Sequence, residues 1–442
     1  MKTIIKNATI VNEGKIQNAD VLIHNERIEK IASIINDVNA EEIDATNKLL
    51  MPGVIDDQVH FREPGFTHKA NINTESRAAV AGGTTSFMEM PNTKPTATTQ
   101  KLLEEKYSIA ANNSLANYSF FMGASNNNYD EVMRTNVQNV CGIKVFMGSS
   151  TGNMLVDDES TLSKLFANAP CLIATHCEDE SRIRARRAEF EKSDSSAEMH
   201  PVIRDVEACY LSSSKAIELA KKHNTRLHIL HISTAKETNL FSNEMPLKDK
   251  RITAEVCVHH LSLNDSFYTK LGNQMKCNPA IKSKFDQNAI WEALLDDRLD
   301  IIATDHAPHT LEEKAKPYNE APSGLPLVQH GLLLMLKHYK AGKISLEKMV
   351  EKMCHAPATC FQIKNRGFIR EGYFADLVLI DKNINYKINK KNILYKCNWS
   401  PFENDEFSYR VNRTFVNGNI VYTNSNGIND SINGNRLTFN RN

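Results

Sequence analysis

An alternation of short apolar runs with helix-like segments is the feature that most constrains how this 442-residue chain can fold. From about residue 51 onward, eight runs have the length and composition of buried strands. In order they are VIDDQV, TTSFMEM, YSFFMG, CGIKVFMG, CLIATH, RLHILHI, RITAEVCV and LDIIAT. Segments with helical periodicity lie between them, such as DVEACYLSSSKAIELAKKHN. Eight strands that alternate with helices predict a (β/α)8 barrel.

Shorter alternating segments flank this region on both sides. The first 50 residues contain TIIKNATIV and ADVLIHN, and similar segments return after about residue 366 in FADLVLI and NRTFVNG. The simplest interpretation joins both flanks into one small domain beside the barrel. The predicted fold class is therefore α/β, a TIM-like barrel with a small β-sandwich domain built from both chain termini. The predicted limits are 1–50 and 367–442 for the small domain and 51–366 for the barrel.

Charge and cysteine content narrow the class of protein. Lys+Arg and Asp+Glu both total 53, so no overall charge favours nucleic acid or an anionic membrane. No apolar run approaches the roughly 18 residues of a membrane span, and the N-terminus lacks the pattern of a signal peptide. Nine cysteines without a CxxC pair argue against a disulfide framework. We therefore expect a cytoplasmic protein that binds neither nucleic acid nor membrane.

Polar side chains cluster where the predicted strands end, which is where barrels of this type carry their chemistry. Four of these side chains, from the first, fifth, sixth and eighth strands, are imidazoles or a carboxylate. They are His60, His176, His231 and Asp305. Imidazole and carboxylate together suit a zinc-type ion. The sequence therefore predicts one metal site at the mouth of the barrel.

Lys144 lies in an apolar strand, between Ile143 and Val145. A buried ammonium group is costly unless it is paired. Two interpretations stay open at this point. The side chain reaches the rim of the barrel with its charge in water, or it is a chemically altered lysine that has become an anion and bridges two metals.

Three further polar residues are candidates for holding a substrate. Arg62 lies two residues beyond His60 and so faces the same mouth, where a planar guanidinium group suits a carboxylate. Asn92 follows a proline and Asn278 precedes one, in loops where a side-chain amide can bind a polar ligand. The alternatives are an ordinary surface arginine and turn-forming asparagines.

Seven segments resemble, in order, the motifs of cyclic amidohydrolases, and most closely those of the dihydroorotase family. The segments are GVIDDQVHFREPG, MEMPNTKPT, ATHCEDE, LHISTA, AEVCVHH, CNPAIK and ATDHAPH. The resemblance covers nearly the whole chain, including both flanks. It implies a hydrolase that interconverts (S)-dihydroorotate and N-carbamoyl-L-aspartate, a step of pyrimidine synthesis.

The resemblance also implies roles for individual residues. The zinc ligands would be His60, Lys144, His176, His231 and Asp305. Lys144 would be carboxylated so that it bridges two ions, and Asp305 would also be the catalytic base. The groups on the substrate carboxylate would be Arg62, Asn92 and His309, and those on its ring would be Asn278 and the backbone near Gly324.

The chain departs from this family at Gln58, where the family has the first histidine of an H-x-H motif. An amide oxygen is a poor zinc ligand compared with imidazole, so one of the two metal sites should be weaker or empty. The expected cofactor is therefore Zn²⁺, with one or two ions per chain, and the expected partner is a small-molecule substrate. The chain could form a homodimer or a homotetramer.

Three other interpretations remain open. The first is an allantoinase or dihydropyrimidinase, which shares the metal chemistry but acts on another ring. The second is a catalytically inactive dihydroorotase-like subunit that supports a partner enzyme, although such relatives lose several ligands and this chain loses one. The third is a barrel without metal, in which the histidines are incidental.

Overall fold

The computed structural model describes residues 2–148, 154–190 and 196–441. Its strands are β1 (Lys2–Asn12), β2 (Lys15–His24), β3 (Arg27–Ala32), β4 (Glu41–Asp44), β5 (Lys48–Pro52), β6 (Val54–Val59), β7 (Thr84–Glu89), β8 (Asn117–Phe120), β9 (Met122–Gly123), β10 (Ile143–Phe146), β11 (Ile173–His176), β12 (Leu227–Ile229), β13 (Ile252–Cys257), β14 (Ile301–Ala303), β15 (Leu377–Lys387), β16 (Glu406–Val416), β17 (Asn419–Thr423) and β18 (Gly427–Ile428).

The α-helices are α1 (Ile72–Ala81), α2 (Gln100–Asn113), α3 (Tyr129–Met133), α4 (Glu159–Asn168), α5 (Glu180–Phe190), α6 (His200–Ile203), α7 (Val206–His223), α8 (Ala235–Thr238), α9 (Val258–Ser262), α10 (Tyr268–Leu271), α11 (Lys284–Leu295), α12 (Leu311–Lys314), α13 (Gly331–Lys340), α14 (Leu346–Val350) and α15 (Ala356–Phe361). A π-helical turn, Glu351–His355, joins α14 to α15. Short 3-10 turns occur at Ala197–Met199, Leu247–Asp249, Asp265–Phe267 and Gly272–Met275. No helix in these described ranges is long and apolar enough to cross a membrane.

Strands β6 to β14 form a closed barrel of parallel strands. β8 and β9 are two parts of the third barrel strand, interrupted at Phe121, so the described residues supply eight strands in all. The barrel closes where Val59 of β6 pairs in parallel with His306, just after β14. At this seam the backbone N–H of His60 donates to the carbonyl oxygen of His306 over 2.7 Å. The predicted fold class is confirmed.

Sequence explains the local form of these elements. The barrel strands β6, β7, β10 and β11 are buried along their whole length, because helices cover the outside and facing strands fill the inside. Helix α7 begins where the Asp205 side chain accepts a hydrogen bond from the N–H of Ala208. It ends at Asn224, which takes the left-handed conformation common at helix ends.

Strands from both ends of the chain form one further sheet. Within the part of the chain that the structure describes, this sheet has nine strands in the order β18-β17-β16-β15-β5-β1-β2-β3, and β4 also pairs with β1. Strand β5 links the N-terminal and C-terminal strands of this sheet. Its Leu50 pairs in parallel with Ile10 of β1 and antiparallel with Leu379 of β15. The flanks therefore form a β-rich unit, while the domain limits 1–50, 51–366 and 367–442 stay a prediction.

The last residues of the chain return to the barrel. The N–H of Tyr118 in β8 donates to the carbonyl of Asn435, and the N–H of Leu437 donates to the carbonyl of Tyr118. Leu437 and Phe439 are buried in one apolar cluster with Phe121 of the barrel wall. This C-terminal segment, residues 434–441, thus ties the end of the chain to the barrel.

Candidate metal and substrate site

The carboxyl ends of the barrel strands open into a cavity of about 400 Å³. Its walls include every site residue that the sequence predicted. These residues are His60, Arg62, Asn92, Lys144, His176, His231, Asn278, Asp305 and His309. Gln58, Phe146, Ala307 and the rim segment, residues 319–324, complete the lining. Side chains as far apart in the chain as Gln58 and Ser323 therefore share one pocket.

His176 and His231 form a close pair of imidazoles. Nδ1 of His176 lies 2.9 Å from Nε2 of His231, and the rings meet edge to face. On the far side of the first ring, Nε2 of His176 lies 3.1 Å from a carboxylate oxygen of Glu178. A carboxylate behind an imidazole fixes the ring and leaves the other nitrogen for a metal. The two facing nitrogens can therefore share one ion.

Glu178 is itself held as an anion. It is fully buried and forms an ion pair with Arg204. Burial opposes ionisation, but the charge of Arg204 and the hydrogen bond from His176 lower the pKa of the Glu178 carboxyl to about 2. Glu178 can therefore orient His176 throughout the neutral pH range.

His60 and Asp305 form the second pair of potential ligands. Nδ1 of His60 lies 2.9 Å from Oδ1 of Asn92, an acceptor, so this nitrogen carries the hydrogen. Nε2 of His60 then turns a lone pair toward Oδ1 of Asp305, 3.2 Å away. Burial, followed by the charge of Arg62, lowers the pKa of His60 well below its usual value, so the ring is neutral. Two facing lone pairs fit a cation between them, and the donor set therefore fits zinc.

Three cavity residues have left-handed backbone conformations in the loops that follow their strands. The φ angles are 68° at Arg62, 42° at His231 and 47° at Asp305. Such angles are uncommon outside glycine and cluster at functional sites, where the surroundings hold them. For His231, the backbone N–H donates to Oε1 of the buried Glu255 over 3.1 Å. The fold thus stabilises the turns that aim these side chains into the cavity.

The Lys144 side chain is buried in the wall of the cavity, and its amine does not extend to water at the rim. Its side chain is 1% exposed, and its Nζ lies 4.5 Å from the centre of the Phe146 ring. The charges of Glu255 and Asp305 favour its ammonium form, but they do not outweigh the effect of burial. Burial lowers the pKa of Lys144 to about 7. The interpretation in which this lysine extends to water is therefore wrong.

The opposite end of the cavity is suited to an anion. Nη2 of Arg62 lies 3.0 Å from Nε2 of His309, and Nε of Arg62 donates to the carbonyl of Pro308 over 3.0 Å. Nζ of Lys69 lies 3.0 Å from Nδ1 of His309. Burial lowers the pKa of Arg62 to about 10, so the guanidinium keeps its charge at neutral pH. A positive group that is buried beside an open cavity can bind a carboxylate.

The rim segment is clamped by two buried lysines. Nζ of Lys276 donates to the carbonyls of Tyr318 and Ala321, each over 2.6 Å. Nζ of Lys314 donates to the carbonyls of Lys276, Pro322 and Gly324 over 2.9–3.1 Å. Gly324 has a φ of 146°, and a Cβ there would lie 2.3 Å from the carbonyl oxygen of Ala307. This close approach needs a glycine, and it brings the backbone of the rim into the cavity.

Asn278 faces the cavity in a fixed orientation. Nε2 of His200 lies 3.1 Å from Oδ1 of Asn278 and 2.8 Å from the carbonyl of Cys277. Nδ1 of His200 lies 2.9 Å from the hydroxyl of Tyr318. Nε2–H of His200 therefore donates to Oδ1, which leaves the amide NH2 of Asn278 as the donor for a ligand.

A further group that could hold a metal ion lies deeper in the barrel. The donor atoms of Asp57, His228 and Glu255 lie within 4.8 Å of one another, and all three residues are buried. Nε2 of His228 lies 3.3 Å from a carboxylate oxygen of each acid.

Asp56, which the strand pattern places on the same face as His60, does not line the cavity. Its carboxylate accepts hydrogen bonds from the hydroxyl and N–H of Thr304.

Sequence reasoning did not identify several residues that support this site. Glu178, two positions after His176, carried a usable signal, because the spacing places both at the end of one strand. Lys69 and Arg204 carried no sequence signal, because only the fold brings them near His309 and Glu178, respectively. His200 is also distant in sequence from Asn278, which it orients.

Comparisons with known proteins agree on one family. The model of the Amidohydrolase family matches residues 49–421. A dihydroorotase of Listeria welshimeri serovar 6b is 33% identical over 433 residues, which is 95% of this chain and 98% of that protein. A dihydroorotase of Methanosphaera stadtmanae is 31% identical over 425 residues, with 95% and 96% covered. Among solved structures, L-hydantoinase (dihydropyrimidinase) from Arthrobacter aurescens has a TM-score of 0.90, 26% identity and 95% coverage of each chain.

Proposed function

Because the chain belongs to the amidohydrolase family, we propose that it is a zinc-dependent dihydroorotase, which reversibly hydrolyses (S)-dihydroorotate to N-carbamoyl-L-aspartate. The relatives named dihydroorotase confirm the resemblance of the sequence motifs, and the enzyme is a hydrolase of cyclic amides. One observation carries the proposal. A single cavity joins imidazole and carboxylate ligands at one end to a buried guanidinium at the other.

The metal end of the cavity supports the proton chemistry. The residues that would hold zinc are His60, Lys144, His176, His231 and Asp305. Bound zinc supplies a Lewis acid that activates water near neutral pH. Asp305 takes a proton from the attacking water and returns it to the ring nitrogen as the amide bond breaks. Burial raises the pKa of Asp305 to about 6 and so favours the protonated form that the base reaches after it accepts the proton.

The anion end of the cavity orients the substrate. Arg62 and Asn92 line the cavity and would hold the carboxylate of dihydroorotate together with His309. The amide NH2 of Asn278 would donate to a carbonyl oxygen of the ring. Fixing both ends of a small ring places its scissile amide beside the metal end, and such positioning lowers the activation barrier. Specificity then comes from the carboxylate.

Lys144 is proposed to be carboxylated. At neutral pH, burial leaves much of this amine uncharged, and its lone pair can attack the carbon of CO2. Loss of one amine proton gives a carbamate anion, which can bridge two cations. The intact mass of the native protein should exceed the sequence mass by one CO2, and Lys144→Met should abolish the difference. An unmodified mass in an active, zinc-loaded preparation would contradict this assignment.

The cellular setting follows from the same proposal. We propose that the enzyme acts on a small-molecule substrate in the cytoplasm, as part of pyrimidine synthesis. We also propose that it forms a homodimer or homotetramer, which light scattering of the purified protein would test. A monomer at working concentration would rule out this part of the proposal.

The second candidate function is a dihydropyrimidinase or hydantoinase activity, which the structural similarity at a TM-score of 0.90 favours. A substrate panel on zinc-loaded enzyme separates the two. We expect hydrolysis of dihydroorotate and little hydrolysis of dihydrouracil or hydantoin, which lack the carboxylate that Arg62 would bind. The reverse preference would favour the second candidate. No turnover on any of these rings would favour an inactive subunit.

Replacing the proposed base tests the mechanism directly. Asp305→Asn should lower kcat by about 10²–10⁴-fold, the usual contribution of a positioned acid–base group. Asp300→Asn is a matched control, because Asp300 is also buried but pairs with Lys250 away from the cavity. This control should keep its turnover. Near-normal turnover of Asp305→Asn would overturn the mechanism.

A further inference from the structure

A second group of metal-type ligands lies beside the cavity, where β13 ends and α9 begins. It consists of Cys257, His259 and His260. One donor atom from each of these residues lies within 4.8 Å of the others, and all three side chains are buried. A thiol and two imidazoles form a donor set that zinc-type ions prefer. None of the three residues lines the candidate active-site cavity.

Three of the four ring nitrogens of this cluster lack a hydrogen-bond partner among the described residues. Nε2 of His260 lies 3.3 Å from the carbonyl of Pro279 and so carries the hydrogen, while Nδ1 is buried and has no partner among the described residues. For His259, neither nitrogen meets a partner with hydrogen-bond geometry in the described ranges, although the carbonyl of Thr304 lies nearby. Buried polar atoms are rarely left unsatisfied, and a missing ion is one cause.

The surroundings of Cys257 favour a cation. Besides burial, the neighbouring carboxyl groups of Glu255, Asp305, Asp56 and Asp57 raise the pKa of its thiol. His228 lies against Asp57 and Glu255 and balances part of this charge. His259 and His260 are neutral, because burial lowers the pKa of both rings. A divalent cation at the thiol would be attracted by the carboxylates and would displace the thiol proton.

Gln58 provides a possible fourth donor. Its amide oxygen Oε1 lies 3.7 Å from Sγ of Cys257. The residue that replaces a histidine of the family motif is therefore turned toward this cluster. In contrast, the imidazole of His228 already lies between Asp57 and Glu255, so that deeper group can balance its charges without an ion.

We propose that Cys257, His259 and His260 bind one zinc-type divalent ion, with Oε1 of Gln58 as a further donor, apart from the ions of the proposed catalytic centre. On binding, the thiol proton leaves to solvent and an S–Zn bond forms. Bond lengths of about 2.3 Å to sulfur and about 2.0–2.1 Å to nitrogen require the donors to draw closer by small side-chain rotations. The site does not depend on which ring the enzyme hydrolyses.

Zinc K-edge X-ray absorption on the zinc-loaded, full-length protein tests this proposal. No cysteine lines the candidate cavity within the described residues, so a sulfur neighbour of zinc at about 2.3 Å reports only the new site. Cys257→Ser should lose this sulfur signal and about one zinc per chain. Cys354→Ser is the matched control, because Cys354 is an equally buried thiol whose Sγ lies 3.4 Å from the carbonyl of Pro52. The control should keep both.

The proposal fails if zinc-loaded wild-type protein shows no sulfur neighbour. It also fails if the sulfur signal persists in Cys257→Ser. Should that variant not fold, a zinc-edge anomalous difference map of wild-type crystals decides the matter. A peak between Cys257, His259 and His260 supports the site, and the absence of such a peak overturns it. Loss of hydrolysis in any variant has no bearing on this result.

Discussion

Gln58 is the residue that we expect to limit the affinity of the proposed metal centre. It lines the cavity where the family motif places an imidazole, and its amide oxygen faces Cys257. The proposed ligands His60 and Asp305 would then lack the imidazole that the family motif supplies as a third strong donor. The ion between these two should therefore be held less tightly than the ion between His176 and His231.

Gln58→His should raise the zinc content of protein that is purified without added metal. The comparison is best made in a Cys257→Ser background, which removes the proposed sulfur site. There we expect less than a full pair of zinc ions with Gln58 and nearly a full pair with histidine, because imidazole binds zinc better than an amide does. Gln58→Ala should give no increase. Elemental analysis measures the ratio, and a full pair in the Gln58 protein would refute the prediction.

Arg62 carries the second residue-scale prediction. Arg62→Lys keeps a positive charge but loses the planar fork that matches a carboxylate. We expect KM for dihydroorotate to rise about 10–100-fold, or about 1.4–2.8 kcal/mol, while kcat changes less. Steady-state kinetics give both values. An unchanged KM would mean that the substrate carboxylate binds elsewhere.

At the scale of elements, the rim segment depends on lysines that come from outside it. Lys314 ends α12 and donates to three carbonyls, two of which belong to residues 319–324. The rim has no helix or strand in this stretch, so these ammonium contacts replace the hydrogen bonds that regular structure would provide.

Lys314→Met should loosen the rim. The three carbonyls lose their donor, so the free energy of unfolding should fall by about 1–3 kcal/mol, and KM should rise because the rim lines the substrate cavity. Lys316→Met is the control, since Lys316 is exposed in the same loop. Urea unfolding and steady-state kinetics measure the two effects. Equal behaviour of both variants would show that the clamp is unimportant.

The elements that could be predicted from sequence are those with a local signal. Most barrel strands are short, largely apolar runs, and a polar residue at the end of the run marks the mouth of the barrel, as for His176 and Asp305. The break of the third strand at Phe121 has no such signal, because YSFFMG reads as one apolar run. The sequence also did not determine whether Lys144 is buried, because the amine of a lysine in an apolar strand can still extend to water.

The contacts that could not be predicted join residues far apart in the chain. Lys69 meets His309 across 240 positions, and Arg204 meets Glu178 across 26 positions. These pairs depend on how loops cross the barrel mouth, and no spacing rule encodes that. The same limit applied to the ligand cluster at Cys257, whose residues the AEVCVHH segment contained but whose unsatisfied nitrogens only the fold reveals.

At the scale of the whole molecule, the C-terminal segment, residues 434–441, packs against the barrel strands. Leu437 and Phe439 bury their side chains against Phe121 and Phe361, and Arg441 donates to carbonyls of the barrel region. This contact joins residues from the end of the chain to the wall of a barrel that begins near residue 54. Removing the packing of this segment should therefore lower the free energy of unfolding of the whole protein.

Leu437→Ala tests this contribution. Removing a fully buried leucine side chain should lower the free energy of unfolding by about 2–5 kcal/mol. Turnover of the folded enzyme should stay unchanged, because residues 434–441 do not line the cavity. Denaturant unfolding and kinetics at a permissive temperature provide the two measurements. A stability loss within about 0.5 kcal/mol would show that the segment contributes little.

The position of β5 between β1 and β15 has a consequence for the order of synthesis. On the ribosome, residues 48–52 emerge early, yet one of their two hydrogen-bonding partners is more than three hundred residues behind them. Throughout elongation of the barrel, the nascent chain presents an open strand edge, which is a template for pairing with other chains. Production of this enzyme should thus benefit from chaperones that shield the growing N-terminus until the last strands are released.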